Sequence, residues 1–202
     1  MSTAEKVAKG SIGVGLGEVI EKGSLFLRNL VLARMLSPAD FGLGATFLTT
    51  YLLFMMISSF STSQYLVQSD SGEDVSLQKS VHLMELLRGL FSGIAIFLTA
   101  GWISSLFGAP EAKWAFQLLA VIPLLLGVVH TDIFRFQRRM NFYPSVVTAV
   151  ASDVMALLLA FPAALYYPDY TAALICLVVK IFTYLLLSHY FSERRYRIGG
   201  SL

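Results

Sequence analysis

The chain reads as an all-α, polytopic transmembrane bundle of six helices arranged as three hairpins. Apolar residues make up 56% of its 202 positions, and mean hydropathy is +0.69. A water-soluble domain cannot cover so much apolar surface. Six apolar stretches follow one another at 10–33, 43–67, 83–107, 114–131, 145–167 and 171–192. Each approaches or exceeds the roughly 20 helical residues that cross about 30 Å of hydrocarbon.

The first segment is long enough to span but carries Glu18, Glu21, Lys22 and Arg28. Near a helix centre four such residues cost roughly 10–14 kcal/mol, against a return of about 4–7 from a dozen large apolar neighbours. At about 100° per residue the four fall within an arc of roughly 120°. One face of this helix therefore meets protein, water or a polar ligand instead of lipid. The second segment runs from Leu43 to Val67 without a charge. In the third, His82, Glu85 and Arg88 lie one turn apart. They read either as an ion pair snorkelling near the membrane surface or as a polar lining facing helix 1.

Pro123 and Pro162 predict kinks in the fourth and fifth helices, because proline removes a helical hydrogen bond. Asp153 in the fifth and Lys180 in the sixth are lone opposite charges in adjacent spans. They invite pairing, as a structural link or as part of a transport path. Cys176, the single cysteine, fills space in the sixth. Gly13-x-x-x-Gly17 and Gly89-x-x-x-Gly93 allow close helix approach.

The connections alternate. Ser37–Phe41, Gly108–Lys113 and Pro168–Tyr170 are short, and each places an acid just after a proline (Asp40, Glu111, Asp169), as at a helix start. Gln68–His82 and Asp132–Pro144 are longer. With a cytoplasmic N-terminus, Lys6, Lys9, Lys79, Arg135, Arg138, Arg139, Arg194, Arg195 and Arg197 lie inside, while Arg34 and Lys113 lie outside. This positive-inside bias predicts that both termini are cytoplasmic. The N-terminus lacks the pattern of a cleaved signal peptide. The run Phe134-Arg135-Phe136-Gln137-Arg138-Arg139-Met140-Asn141-Phe142 reads as a membrane-surface anchor. Alternatively, Arg135, Arg138 and Arg139 dock a phosphorylated lipid headgroup.

Enzyme chemistry finds no support. His82, His130 and His189 are far apart in sequence, and neither metal-ligand spacing nor a phosphate-binding loop occurs. No cofactor or metal is expected, and a net charge of +2 gives no general field for nucleic acid.

The run Leu32-Ala33-Arg34-Met35-Leu36-Ser37-Pro38-Ala39-Asp40-Phe41-Gly42 resembles the turn between helices 1 and 2 of bacterial oligosaccharide flippases. These form the polysaccharide-biosynthesis branch of the multidrug/oligosaccharidyl-lipid/polysaccharide exporter superfamily. Phe136-Gln137-Arg138-Arg139-Met140-Asn141-Phe142 resembles that branch's loop between helices 4 and 5. The resemblance implies a carrier in the bacterial inner membrane that flips undecaprenyl-diphosphate-linked oligosaccharide by alternating access. It also implies that residues 1–202 form the amino-terminal one of two six-helix lobes. The other lobe is absent from this chain, and a longer protein or a second chain supplies it. Lys22, Arg28 and Arg34 match cavity-facing cations on helix 1 of related flippases, and a diphosphate requires such donors. Glu18 and Glu21 would hold those cations between cycles or respond to protons. Other cavity candidates are Glu85, Arg88, Asp153 and Lys180. Two alternatives stay open: a cation-coupled exporter using Glu18, Glu21 and Asp153, and a non-transporting scaffold.

Overall fold

The computed structural model describes residues 3–57, 62–69 and 71–199. These form α1 (Thr3–Met35), α2 (Pro38–Ile57), α3 (Thr62–Gln68), α4 (Val75–Leu106), α5 (Lys113–Leu119), α6 (Val121–Gly127), α7 (Asp132–Arg138), α8 (Tyr143–Tyr166) and α9 (Thr171–Tyr190). A 3-10 turn, Pro110–Ala112, precedes α5, and the described residues contain no strand.

Among the described residues four helices, α2, α4, α8 and α9, are long and apolar enough to cross a membrane. A fifth candidate is the broken segment Pro110–Gly127 with Asp132–Arg138, bent by 49°. At about 1.5 Å per residue α1 is long enough too, but its charges set it apart by composition. Outward-facing apolar side chains such as Phe91, Leu98, Trp102, Leu158 and Leu165 are more than half exposed. The protein is a multi-pass membrane protein, and such a surface is stable only against lipid or another apolar partner.

The apolar second segment starts earlier than its composition suggests. Pro38 opens α2, where a missing N–H costs nothing, and residues 58–61 lie outside those described. The third segment also starts early: α4 begins at Val75, so much of the expected connection at 68–82 is helical. The fourth is broken. Pro123 cannot donate to the carbonyl four residues back, and the helix interrupts at Ala120, between α5 and α6. Pro162 interrupts nothing, as α8 runs through it to Tyr166. At the start of α9, Asp169 Oδ1 accepts the Thr171 N–H at 2.7 Å.

The three tight turns meet at one end of the bundle. There Asp40 Oδ1 accepts the Tyr170 N–H at 3.4 Å, and Trp114 Nε1 donates to the Tyr170 hydroxyl at 3.2 Å. Two cores share α9. In one, Phe47, Ile96, Phe116, Leu119, Ile122, Leu174 and Leu177 join α2, α4, α5 and α6 to it. In the other, Leu32 of α1 and Leu36 just beyond it meet Ala156, Ala160, Ala163 and Ala164 of α8 and Ala172 and Cys176 of α9.

Glycine permits two close crossings. A Cβ at Gly127 would sit 2.9 Å from the Glu85 carbonyl oxygen, and one at Gly89 would strike the Pro123 carbonyl, so α4 and α6 touch backbone to backbone. Gly17 packs on Val146, where a Cβ would lie 2.6 Å from its methyl, but Gly13 has nothing within 4 Å. The expected Gly13-x-x-x-Gly17 pair is therefore a single contact, because α8 begins only at Tyr143.

Candidate functional site

The face of α1 turned toward α8 carries Gly17, Glu21, Ser24, Arg28 and Leu32, spaced by threes and fours. Of the four predicted polar-face residues, Arg28 is buried, Glu21 is half-buried, and Glu18 and Lys22 are exposed. Arg34 is exposed as well. The arc deduced from sequence is thus split, since α8 covers α1 along one side and α2 barely touches it.

Arg28 is 9% exposed. It lines a cavity of about 220 Å³ between α1, α2 and α9, among Phe41, Gly44, Leu48, Thr49 and Leu177. Among the described residues, no acidic side chain lines this cavity. Arg28 Nε has no hydrogen-bond partner among the described residues. A guanidinium placed this way offers a planar fork of donors with no internal anion to occupy it.

Between α8 and α9, Lys180 Nζ lies 2.8 Å from Asp153 Oδ1. The carboxylate is almost enclosed, while the ammonium keeps about a third of its surface. Glu21 stands within electrostatic reach of both and of Lys22. Three ionisable groups from α1, α8 and α9 thereby share one polar patch, flanked by buried Thr148 and Ser152 of α8. Glu85 and Arg88 pair with each other on α4, away from α1.

The basic end of the bundle holds a network that sequence reading did not anticipate. Asp132 is fully buried. Its Oδ1 accepts from Gln78 Nε2 (2.6 Å) and Arg135 Nε (2.9 Å), and its Oδ2 accepts the backbone N–H groups of Glu193 and Arg194, each at 2.9 Å. Arg135 donates onward to Glu193 (2.7 Å) and Glu73 (3.3 Å). Arg139 forks onto Glu73 at 2.8 and 2.7 Å, and Arg138 donates to the carbonyls of Ser69 and Val67. The hydrogen-bonded Arg139 guanidinium, with Arg135 adding to it, holds the Glu73 carboxyl below the usual range, and the same contact raises Arg139.

Arg135, one of three residues that the sequence offered as an alternative headgroup dock, is 2% exposed, and its donors face Asp132, Glu73 and Glu193. Buried Asp132 draws it inward, and it fastens α7 to the chain after α9. Arg139 keeps an exposed edge.

The three histidines, remote in sequence, converge around Tyr196. His82 and His130 have ring centroids 5.1 Å apart, His130 and His189 5.3 Å, and Tyr196 stacks on His82 at 4.3 Å. His82 Nε2 accepts the Thr131 N–H (3.2 Å), so Nδ1–H donates to the Arg197 carbonyl (3.0 Å). His189 Nε2 donates to the Val128 carbonyl at 2.9 Å. The available signal was the run His130-Thr131-Asp132 closing an apolar segment: polar residues in such a place need internal partners.

A family model described as polysaccharide biosynthesis protein matches residues 31–202. The succinoglycan biosynthesis transport protein ExoT of Rhizobium meliloti (strain 1021) is 33% identical over 145 residues, covering 68% of this chain and 28% of that protein. The chain therefore aligns with just over a quarter of that relative's length. No solved structure matches. By the match over residues 31–202, the chain belongs to the polysaccharide biosynthesis protein family.

Proposed function

We propose that this chain is one lobe of a carrier that flips undecaprenyl-diphosphate-linked oligosaccharide across the bacterial inner membrane by alternating access. In this reading α1 is a sixth crossing, and its exposed side, with Glu18 and Lys22, faces a cavity completed by a second lobe or a second chain. One observation carries the reading: Arg28 is buried, unpaired at Nε and set in an acid-free cavity. Burying a guanidinium without an anion is costly, and a diphosphate passing through would supply the missing charge. The relative's description as a biosynthesis transport protein supports a polysaccharide precursor as cargo.

The test is a flipping assay with lipid-linked oligosaccharide in vesicles containing the complete transporter. Arg28→Ala should abolish or strongly reduce flipping while insertion persists, and Arg28→Lys should restore only part, because a point charge lacks the two-bond fork. Normal flipping by a well-inserted Lys22→Ala/Arg28→Ala variant would remove α1 from the mechanism.

The basic bias supports a cytoplasmic Arg138 end of the bundle. A cysteine at Asn141 should be labelled by an impermeant reagent from the cytoplasmic side, and labelling from outside would reverse the orientation. A second reading, coupling to a cation or proton, is favoured by Glu21 beside the Asp153–Lys180 pair. Transport by Glu21→Gln that no longer responds to an ion gradient would support it.

A further inference from the structure

A second cavity, of about 200 Å³, lies at the other end of the bundle from the tight turns, between the start of α4 and segment 194–197. Gln78, Lys79, His82, Arg194, Arg195 and Arg197 line it. Four of these side chains are permanent cations, and none is acidic. Among the described residues no ion pair engages Lys79, Arg195 or Arg197. Arg194 spends its two terminal nitrogens on Gln78 Oε1 (2.9 Å) and the Glu73 carbonyl (2.9 Å), and it also pairs with the Glu73 carboxylate at 3.4 Å.

The wall is built rather than incidental. Asp132 Oδ2 pins the backbone at Glu193 and Arg194, and the His82 ring holds the carbonyl of Arg197. The short segment bearing three arginines is thus tied at both ends to the helical bundle. Gln78 is held from both sides, donating to Asp132 and accepting from Arg194. Lys79, Arg195 and Arg197 line this cavity without an ion-pair partner among the described residues, and prepaid placement of donors is how an oxyanion is recognised. Lys79 adds a point charge from α4, opposite the guanidinium forks.

We propose that this cavity binds a phosphoryl group, either the headgroup phosphate of an anionic lipid or free phosphate. The site is separate from Arg28 and does not depend on the flipping reading: it lies at the opposite end of the helices, where basic clusters meet anionic headgroups.

The test is calorimetric titration of the full-length protein in phosphate-free neutral micelles. The probes are inorganic phosphate, a short-chain phosphatidic acid and the matching phosphatidylcholine. Saturable binding of phosphate or phosphatidic acid, but not of phosphatidylcholine, is expected. Phosphatidic acid binding about tenfold more tightly than phosphate identifies a lipid headgroup, and equal affinity identifies the free ion. Lys79→Gln/Arg195→Gln/Arg197→Gln should weaken binding by at least about tenfold with an unchanged melting temperature, since none of these side chains belongs to the Asp132 network. Unchanged affinity in that variant, or no saturable binding by the unaltered protein, overturns the proposal. If the triple variant unfolds, phenylglyoxal modification of the unaltered protein decides. Phosphate should protect Arg195 and Arg197, and equal modification with and without phosphate overturns the site.

Discussion

Replacing Asp132 with alanine removes the acceptor on which α4, α7 and the chain after α9 converge. Four hydrogen bonds end on this carboxylate. Asp132 and its partner Arg135 are both essentially enclosed. The variant leaves an arginine buried beside two backbone N–H groups without an acceptor. Breaking a buried pair by removing one partner costs about 3–5 kcal/mol. The remaining partners of Arg135 compensate little, because Glu73 and Glu193 are 39% and 55% exposed at their side chains and such pairs contribute at most about 1 kcal/mol each. The expected loss is therefore at least about 3 kcal/mol. Reversible unfolding of the full-length protein in mixed micelles measures it. A double variant, Asp132→Ala/Arg135→Met, should lose less than the sum of the singles, since the second change removes the stranded charge. A loss under about 1 kcal/mol for Asp132→Ala, or strict additivity in the cycle, would refute the reasoning.

The Asp153–Lys180 pair should behave in the same sense but more weakly, because Lys180 keeps contact with the surroundings. Asp153→Ala or Lys180→Ala alone should lower the melting temperature more than the double variant does, and a double as unstable as the summed singles would argue against direct pairing. Glu73 gives the pH dependence. Its carboxyl is held below its ordinary value of 4.5 by Arg139, so its stabilising contribution is complete above that value and is lost as pH falls through the lowered one. Thermal stability should fall only in acid, and Glu73→Gln should flatten that fall. A decline already present near neutral pH would assign the transition to another group.

What the sequence disclosed were features governed by local cost. The charges of α1 announced a helix with a polar side, and two lone opposite charges in neighbouring spans announced a pair. Proline marked the start of α2 and the broken fourth segment. The rest depended on which side of a helix is covered. Glu18 and Lys22 share an arc with Arg28, yet only the side facing α8 is enclosed, and periodicity alone does not say which neighbour lies where. Pro123 acts one turn upstream of itself, so the break falls at Ala120. Arg135 sat in a basic loop that looked exposed. Its inward turn follows from Asp132, an acid whose importance rests on donors more than fifty residues away in either direction. The histidine cluster was illegible for the same reason: only the tertiary fold makes its members neighbours.

The alanines of α8 have a mechanical consequence. Interlocked side chains resist both separation and slip, because ridges must climb out of grooves to move. A surface of Ala156, Ala160, Ala163 and Ala164 has almost no ridges. It holds α1 close through dispersion contact, yet axial displacement meets little steric resistance. The features that interrupt this track are the notch where Gly17 receives Val146, the charge of Glu21 near Asp153 and Lys180, and Arg28 at its cavity. The seam is thus a smooth track with few stops, and the notch together with these charges sets the register of α1 along α8.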